Sequence, residues 1–130
     1  MNQMKNEITT MNDIAMIDES PEPQPELVIN TLEALKVIAD ERRLEILQML
    51  GDTAKTAKQI AKALGLPQTK LYYHLNLLEE QGLIQVVGTR VVSGIIEKRY
   101  RASAYVFRID RTLLAVGSDE GAEDADLLMD

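Results

Sequence analysis

Residues 56–84, TAKQIAKALGLPQTKLYYHLNLLEEQGLI, leave this chain fewer ways to fold than any other stretch of it. Ile60, Ala61 and Leu64 fall on one stripe of a first helix, and Leu71, Leu75 and Leu78 on one stripe of a second. Ala61 is small where the two helices must come close, and Gly65 stands where the chain has to turn sharply. Thr56 is a natural N-cap for a helix over 57–64. Pro67 suits the first position of the next helix, where its missing N–H costs nothing. Two short helices joined by a tight turn, the second with a face to spare, form the pattern of a DNA-binding helix-turn-helix.

The flanking sequence extends this to a mainly α fold with a small antiparallel β-hairpin. A first helix is expected to begin near 27–31 and to bury Leu32, Leu35, Ile38 and Ala39. Asp40 then caps a second helix that turns Leu44, Ile46, Leu47 and Leu50 inward and stops at Gly51. A short strand is expected over 53–55, and the second helix of the motif from 67 to about 81, closed by Gly82. Residues 83–92 and 95–102, rich in Val, Ile and Tyr, read as two strands joined near Ser93-Gly94. The run 105–109 either extends that sheet or packs back on the helices.

Three units follow. Residues 1–26 are polar and acidic and end in SPEPQP, which resists regular structure, so a flexible lead-in is expected. Ile8, Met11, Ile14 and Ile17 nevertheless have rough helical spacing. Residues 27–117 form the winged helix-turn-helix domain. Residues 118–130 form an acidic tail, either solvated or leading into a longer chain.

Composition narrows the function. The 130 residues contain no Cys, which excludes disulfides and thiolate metal sites. No apolar run approaches the roughly 20 residues that span a bilayer, and the start of the chain lacks the pattern of a secretory signal. A cytoplasmic protein without membrane contact is expected. The net charge of −7 argues at first against nucleic acid, but its distribution reverses that inference. Residues 1–26 carry −5 and residues 118–130 carry −6, whereas residues 55–111 hold ten Lys and Arg against four acids. A basic middle between acidic ends is the electrostatic footprint of a DNA-binding domain; a merely solvated Lys-rich surface is the plainer alternative.

Rotating the second helix of the motif by about 100° per residue sets Thr69, Tyr73 and Asn76 opposite the leucine stripe, with Lys70 and Tyr72 on its flanks. Gln68, Thr69 and Lys70 occupy its first turn, the end that enters the major groove in this motif. Gln can read adenine, Thr can touch a thymine methyl or a phosphate, and Lys can reach guanine or phosphate. Tyr72 and Tyr73 are suited to phosphates and sugars. In the hairpin, Arg90, Lys98, Arg99 and Arg101 make a cationic ribbon that grips flanking phosphates, unless they serve only to block edge pairing. Alternation puts Glu97, Arg99 and Arg101 on one face of the strand and Ile96, Lys98 and Tyr100 on the other. His74, the single histidine, lies beside the leucine stripe and is read as a packing residue rather than a metal ligand or pH switch. One His without Cys partners makes no transition-metal site, so no metal and no cofactor is expected.

From residue 31 to residue 107 the chain resembles ArsR-type winged-helix transcriptional regulators. The segments that carry the resemblance are LKVIADERRLEILQML, the helix-turn-helix, YYHLNLLEEQGLI within it, and GTRVVSGIIEKRYRAS. The resemblance implies a small homodimeric regulator, usually a repressor, on a palindromic operator in double-stranded DNA. Members of that family pair through the first helix and a long helix after the wing, where this chain has only YVFRIDRTLLAV. Its metal-sensing members use cysteine-rich helices, which are missing here. The effector is not legible.

A sequence-specific, dimeric DNA-binding regulator is therefore the leading reading. The alternative is a winged-helix protein–protein interaction module without direct DNA readout, its acidic ends engaging a partner. An enzyme is not expected: there is no nucleophile–base pair and no glycine-rich phosphate loop, so no catalytic residue is assigned.

Overall fold

The computed structural model describes residues 22–117. In chain order these form β1 (Gln24–Ile29), α1 (Leu32–Ile38), α2 (Glu41–Asp52), β2 (Lys55–Thr56), α3 (Ala57–Leu64) and α4 (Gln68–Glu80), then β3 (Ile84–Val92), β4 (Ile95–Ala102), β5 (Ala104–Ile109) and α5 (Arg111–Gly117). The expectations placed on Ile8, Met11, Ile14 and Ile17 and on the tail 118–130 lie outside the described residues.

The first three helices each start at a side chain that satisfies an otherwise orphaned backbone N–H. Thr31 Oγ1 accepts from Ala34 N at 3.1 Å, and Asp40 Oδ1 accepts from Arg43 N at 3.1 Å. At α3 the arrangement is reciprocal: Thr56 Oγ1 accepts from Gln59 N at 3.2 Å while Gln59 Oε1 accepts from Thr56 N at 2.9 Å. Gly65 ends α3 with a left-handed φ of 68°, which carries its N–H back to the Ala61 carbonyl. Pro67 serves as the N-cap of α4 rather than its first helical residue, at a φ of −63°. α3 thus has the bounds its sequence dictates, and α4 begins one residue later than expected.

The core lies where the helices meet the base of the wing. Ile46, Leu50, Ile60, Leu71, Leu75 and Leu78 are fully buried, and Tyr100 and Ala102 of β4 close the space between them. Three expected core positions are corrected. Leu32 is exposed because α1 begins there, not at 27–31, and a helix of two turns brings only Ala34, Val37 and Ile38 to the core. Leu44 is exposed because it lies about 200° around the helix from Ile46, which faces inward. Ala39, the C-cap of α1, is exposed as well.

β4 pairs antiparallel with both β2 and β3, giving a three-stranded sheet in the order β2-β4-β3. The β3–β4 register holds out to Val92↔Ile95, with a bulge between Val86 and Gly88. Ser93 and Gly94 join the strands at φ values of 53° and 78°, both positive as a two-residue type I′ turn requires. Residues 105–109 do not extend this sheet. β5 instead pairs in parallel with β1, from Gln24↔Ala104 to Ile29↔Ile109. Residues 24–26 of the expected lead-in thus belong to a strand that crosses the 26/27 boundary, and Pro25 is tolerated because the ladder is only two strands wide.

Candidate nucleic-acid interface

α4 is held from behind and bare in front. Leu71, Leu75 and Leu78 are fully buried, while Gln68, Thr69, Lys70, Tyr72, Tyr73 and Asn76 are all exposed. Tyr73 stands out most clearly from the expected core, with 63% of its surface accessible. Tyr72 sits on the flank and turns into a cleft between α4 and the wing. Gln68 and Asn76 enter that cleft from α4, Lys58 from α3, and Lys98 from β4. Lys58 was passed over in the sequence, where only the basic balance of 55–111 pointed to it. Gln68, Tyr72 and Asn76 thus share one cleft with Lys58 and Lys98, while Thr69, Lys70 and Tyr73 line a neighbouring concavity beside His74.

The pitch of α4 is tied to α1 and α2 through its histidine. Arg43 Nη1 lies 3.1 Å from His74 Nδ1, and Arg43 Nε donates to the Val37 carbonyl. Arg43 Nη2 also stands 3.7 Å from Asp40 Oδ2. Because the guanidinium can only donate, Nδ1 must be the unprotonated ring nitrogen. Burial and then the Arg43 charge hold the His74 pKa below its ordinary value, opposed by Asp40; Arg42 and Lys70 add to the depression. Burial raises the Asp40 pKa, but the Arg43 backbone N–H and guanidinium outweigh it and leave the carboxyl below its usual range. His74 thus serves as a neutral packing acceptor, as the sequence favoured. Among the described residues no group of three or more His, Cys, Asp or Glu side chains could hold a metal ion.

The wing cations separate. Lys98 is exposed, Arg99 is half-buried opposite Gly88 of β3 and Thr56 of β2, and Arg90 is exposed but pairs with Glu97 at 2.8 Å. Arg101 does not join them. Its Nε donates to the Leu50 carbonyl at 3.0 Å, and its Nη2 to Gly51 and Asp52 carbonyls at 3.3 and 3.4 Å. The expected phosphate ligand is instead the C-terminal cap of α2, where a cation meets the negative end of the helix dipole. Arg is a familiar partner of helix C-termini, but nothing local in the sequence places the end of α2 beside β4.

The fold is a winged helix-turn-helix whose second motif helix is bare on one face. Residues 38–87 match a family model described as a helix-turn-helix domain. No curated protein matches the chain. Among solved structures, HlyU from Vibrio cholerae N16961 is 29% identical, with 75% of this chain and 85% of that chain covered at a TM-score of 0.47. An ArsR-like transcriptional regulator from Rhodococcus sp. RHA1 is 28% identical over 75% of this chain and 85% of that one, TM-score 0.46. NolR from Sinorhizobium fredii is 22% identical over 94% and 98%, TM-score 0.47. Among the described residues no helix is long and apolar enough to cross a membrane.

Proposed function

We propose that this chain is a sequence-specific, homodimeric repressor that binds a palindromic operator in the cytoplasm. Gln68, Thr69 and Lys70 read base edges at the N-terminal turn of α4, joined by Asn76. Tyr72, Tyr73, Lys58, Lys98, Arg99 and Arg90 hold phosphates and sugars. The observation that carries this reading is the face of α4: six polar or aromatic side chains are left in water by a helix whose opposite stripe is fully buried. The first turn of that face carries Gln68, Thr69 and Lys70, side chains able to bond base edges and phosphates. Two copies would present their recognition helices to successive major grooves about 34 Å apart. Subunit pairing is supported by a second, largely apolar surface remote from α4 and the wing, where Leu35, Leu44, Tyr105, Phe107 and Ile109 line a concavity between α1, α2 and β5. The reading needs no catalytic step and assigns none.

Selection from a random duplex library with the full chain, followed by anisotropy titration, tests it. The triple variant T69A/Y73A/K98A alters only exposed side chains. At about 1 kcal/mol for each lost polar contact, its affinity falls about a hundredfold or more, with stability unchanged. Binding should also weaken with salt, by about 0.9 log units per tenfold rise for each phosphate neutralised. Unaltered affinity in the triple variant would rule the reading out in favour of a protein-interaction module.

A further inference from the structure

The tip of the wing does not have the chemistry of a solvated turn. Its four aliphatic residues form two cross-strand pairs, Val91↔Ile96 and Val92↔Ile95, on either side of the Ser93–Gly94 turn. Val91, Ile95 and Ile96 are 70%, 70% and 66% exposed, and Val92 is 42% exposed. Because neighbouring pairs on a ribbon point to opposite faces, both faces of the tip are apolar. The next pair inward is Arg90↔Glu97, joined by a 2.8 Å ion pair. An exposed aliphatic ribbon is a standing aggregation hazard, so its use must lie in something it covers.

Geometry indicates what that is. Val92, Ile95 and Ile96 line the same cleft as Gln68, Tyr72 and Asn76 of α4, with Lys58 and Lys98 beside them. The apolar tip is therefore continuous with the basic surface that faces the duplex, and a polyanion drawn to those lysines meets the tip next. The strand axes of a two-stranded ribbon are about 4.8 Å apart, so with the girth of its atoms the ribbon exceeds the roughly 6 Å of the minor groove. The turn can enter that groove, but with aliphatic side chains on both faces it must part the walls. Aliphatic side chains inserted in this way pack on sugar edges, unstack a base step and kink the duplex by about 20–90°.

We propose that the wing tip, Val91–Ile96, is an apolar wedge for the minor groove that bends the bound DNA. This rests on the DNA-binding reading above. Flexible pyrimidine–purine steps under the tip are then favoured over stiff A-tracts, which gives sequence preference at bases no polar side chain touches.

The test uses the full chain and end-labelled duplexes of about 30 base pairs, which are straight when free because they are far shorter than the persistence length. They are taken from the random-library selection. Wild type should shorten the end-to-end distance measured by energy transfer. V91S/V92S/I95S/I96S, which changes no buried residue, should keep binding within about tenfold while the shortening disappears. The single substitution Ile95→Thr keeps a β-branched residue and should lose part of the bend, so the result does not hinge on the quadruple variant folding. Bending by the quadruple variant equal to wild type, or no bend in wild type, overturns the wedge while leaving the DNA-binding reading intact. Failure of wild type to bind any selected duplex overturns both. If the quadruple variant instead loses mass in light scattering without DNA, the tip pairs copies of the chain and the wedge is again overturned.

Discussion

Arg101 offers the sharpest quantitative check on how this domain is assembled. In Arg101→Met the aliphatic stem is kept while the guanidinium, only 16% exposed as a side chain, is removed from the end of α2. The 3.0 Å bond to the Leu50 carbonyl is charge-assisted, worth about 1.5–3 kcal/mol net. The contacts at 3.3 and 3.4 Å are long, and water can reach Gly51 and Asp52, so they add little beyond the charge–dipole attraction of about 1 kcal/mol. A total near 3 kcal/mol follows, and for a domain of this size the melting temperature drops by about 12–24 °C. Urea titration followed by circular dichroism measures it directly. Arg101→Lys should recover less than half, since one ammonium cannot serve three carbonyls from that position. A loss below about 0.5 kcal/mol, or intact stability with weakened DNA binding, would refute the capping role and restore Arg101 to the phosphate-binding set.

Two further expectations follow from the fold. The His74 pKa is depressed in the folded chain by burial and by Arg43, so the stability owed to the neutral ring is whole above about pH 6.5. It declines as pH falls through the native pKa; His74→Gln, which still offers Arg43 an acceptor, should flatten that limb in urea midpoints taken across the range. Gly65→Ala should destabilise by about 1 kcal/mol, because φ is +68° there even though no atom crowds the new methyl. Gly51→Ala, in open space within α2, should stabilise by about 0.5–1 kcal/mol, and thermal melts of the pair separate backbone strain from packing.

Local information was enough for the helix-turn-helix. The Thr56–Gln59 capping box, the left-handed Gly65 and the leucine stripe of α4 are each set within a few residues, and the faces they define are those observed. Non-local features were not legible. QPELVI at 24–29 follows a proline-rich run and becomes a strand only through β5, some eighty residues later in the chain. Leu32 failed as a core position because α1 starts there, and Leu44 because it lies on the far side of α2 from Ile46. Arg101 looked like its neighbours Arg99 and Lys98 because strand alternation says which face a side chain takes, not what lies against it. The wing's Val and Ile were read as strand formers; their exposure depends on how far the ribbon projects beyond the helices.

The parallel β1–β5 ladder has a mechanical consequence. The chain enters the domain at Gln24 and leaves β5 at Ile109, at opposite ends of a ladder whose two strands run the same way. A pull applied to the two flanking segments therefore loads every rung at once, as shear, instead of unzipping them singly. Tension between whatever is attached before and after this unit would be borne by that seam, leaving the orientation of α4 undisturbed.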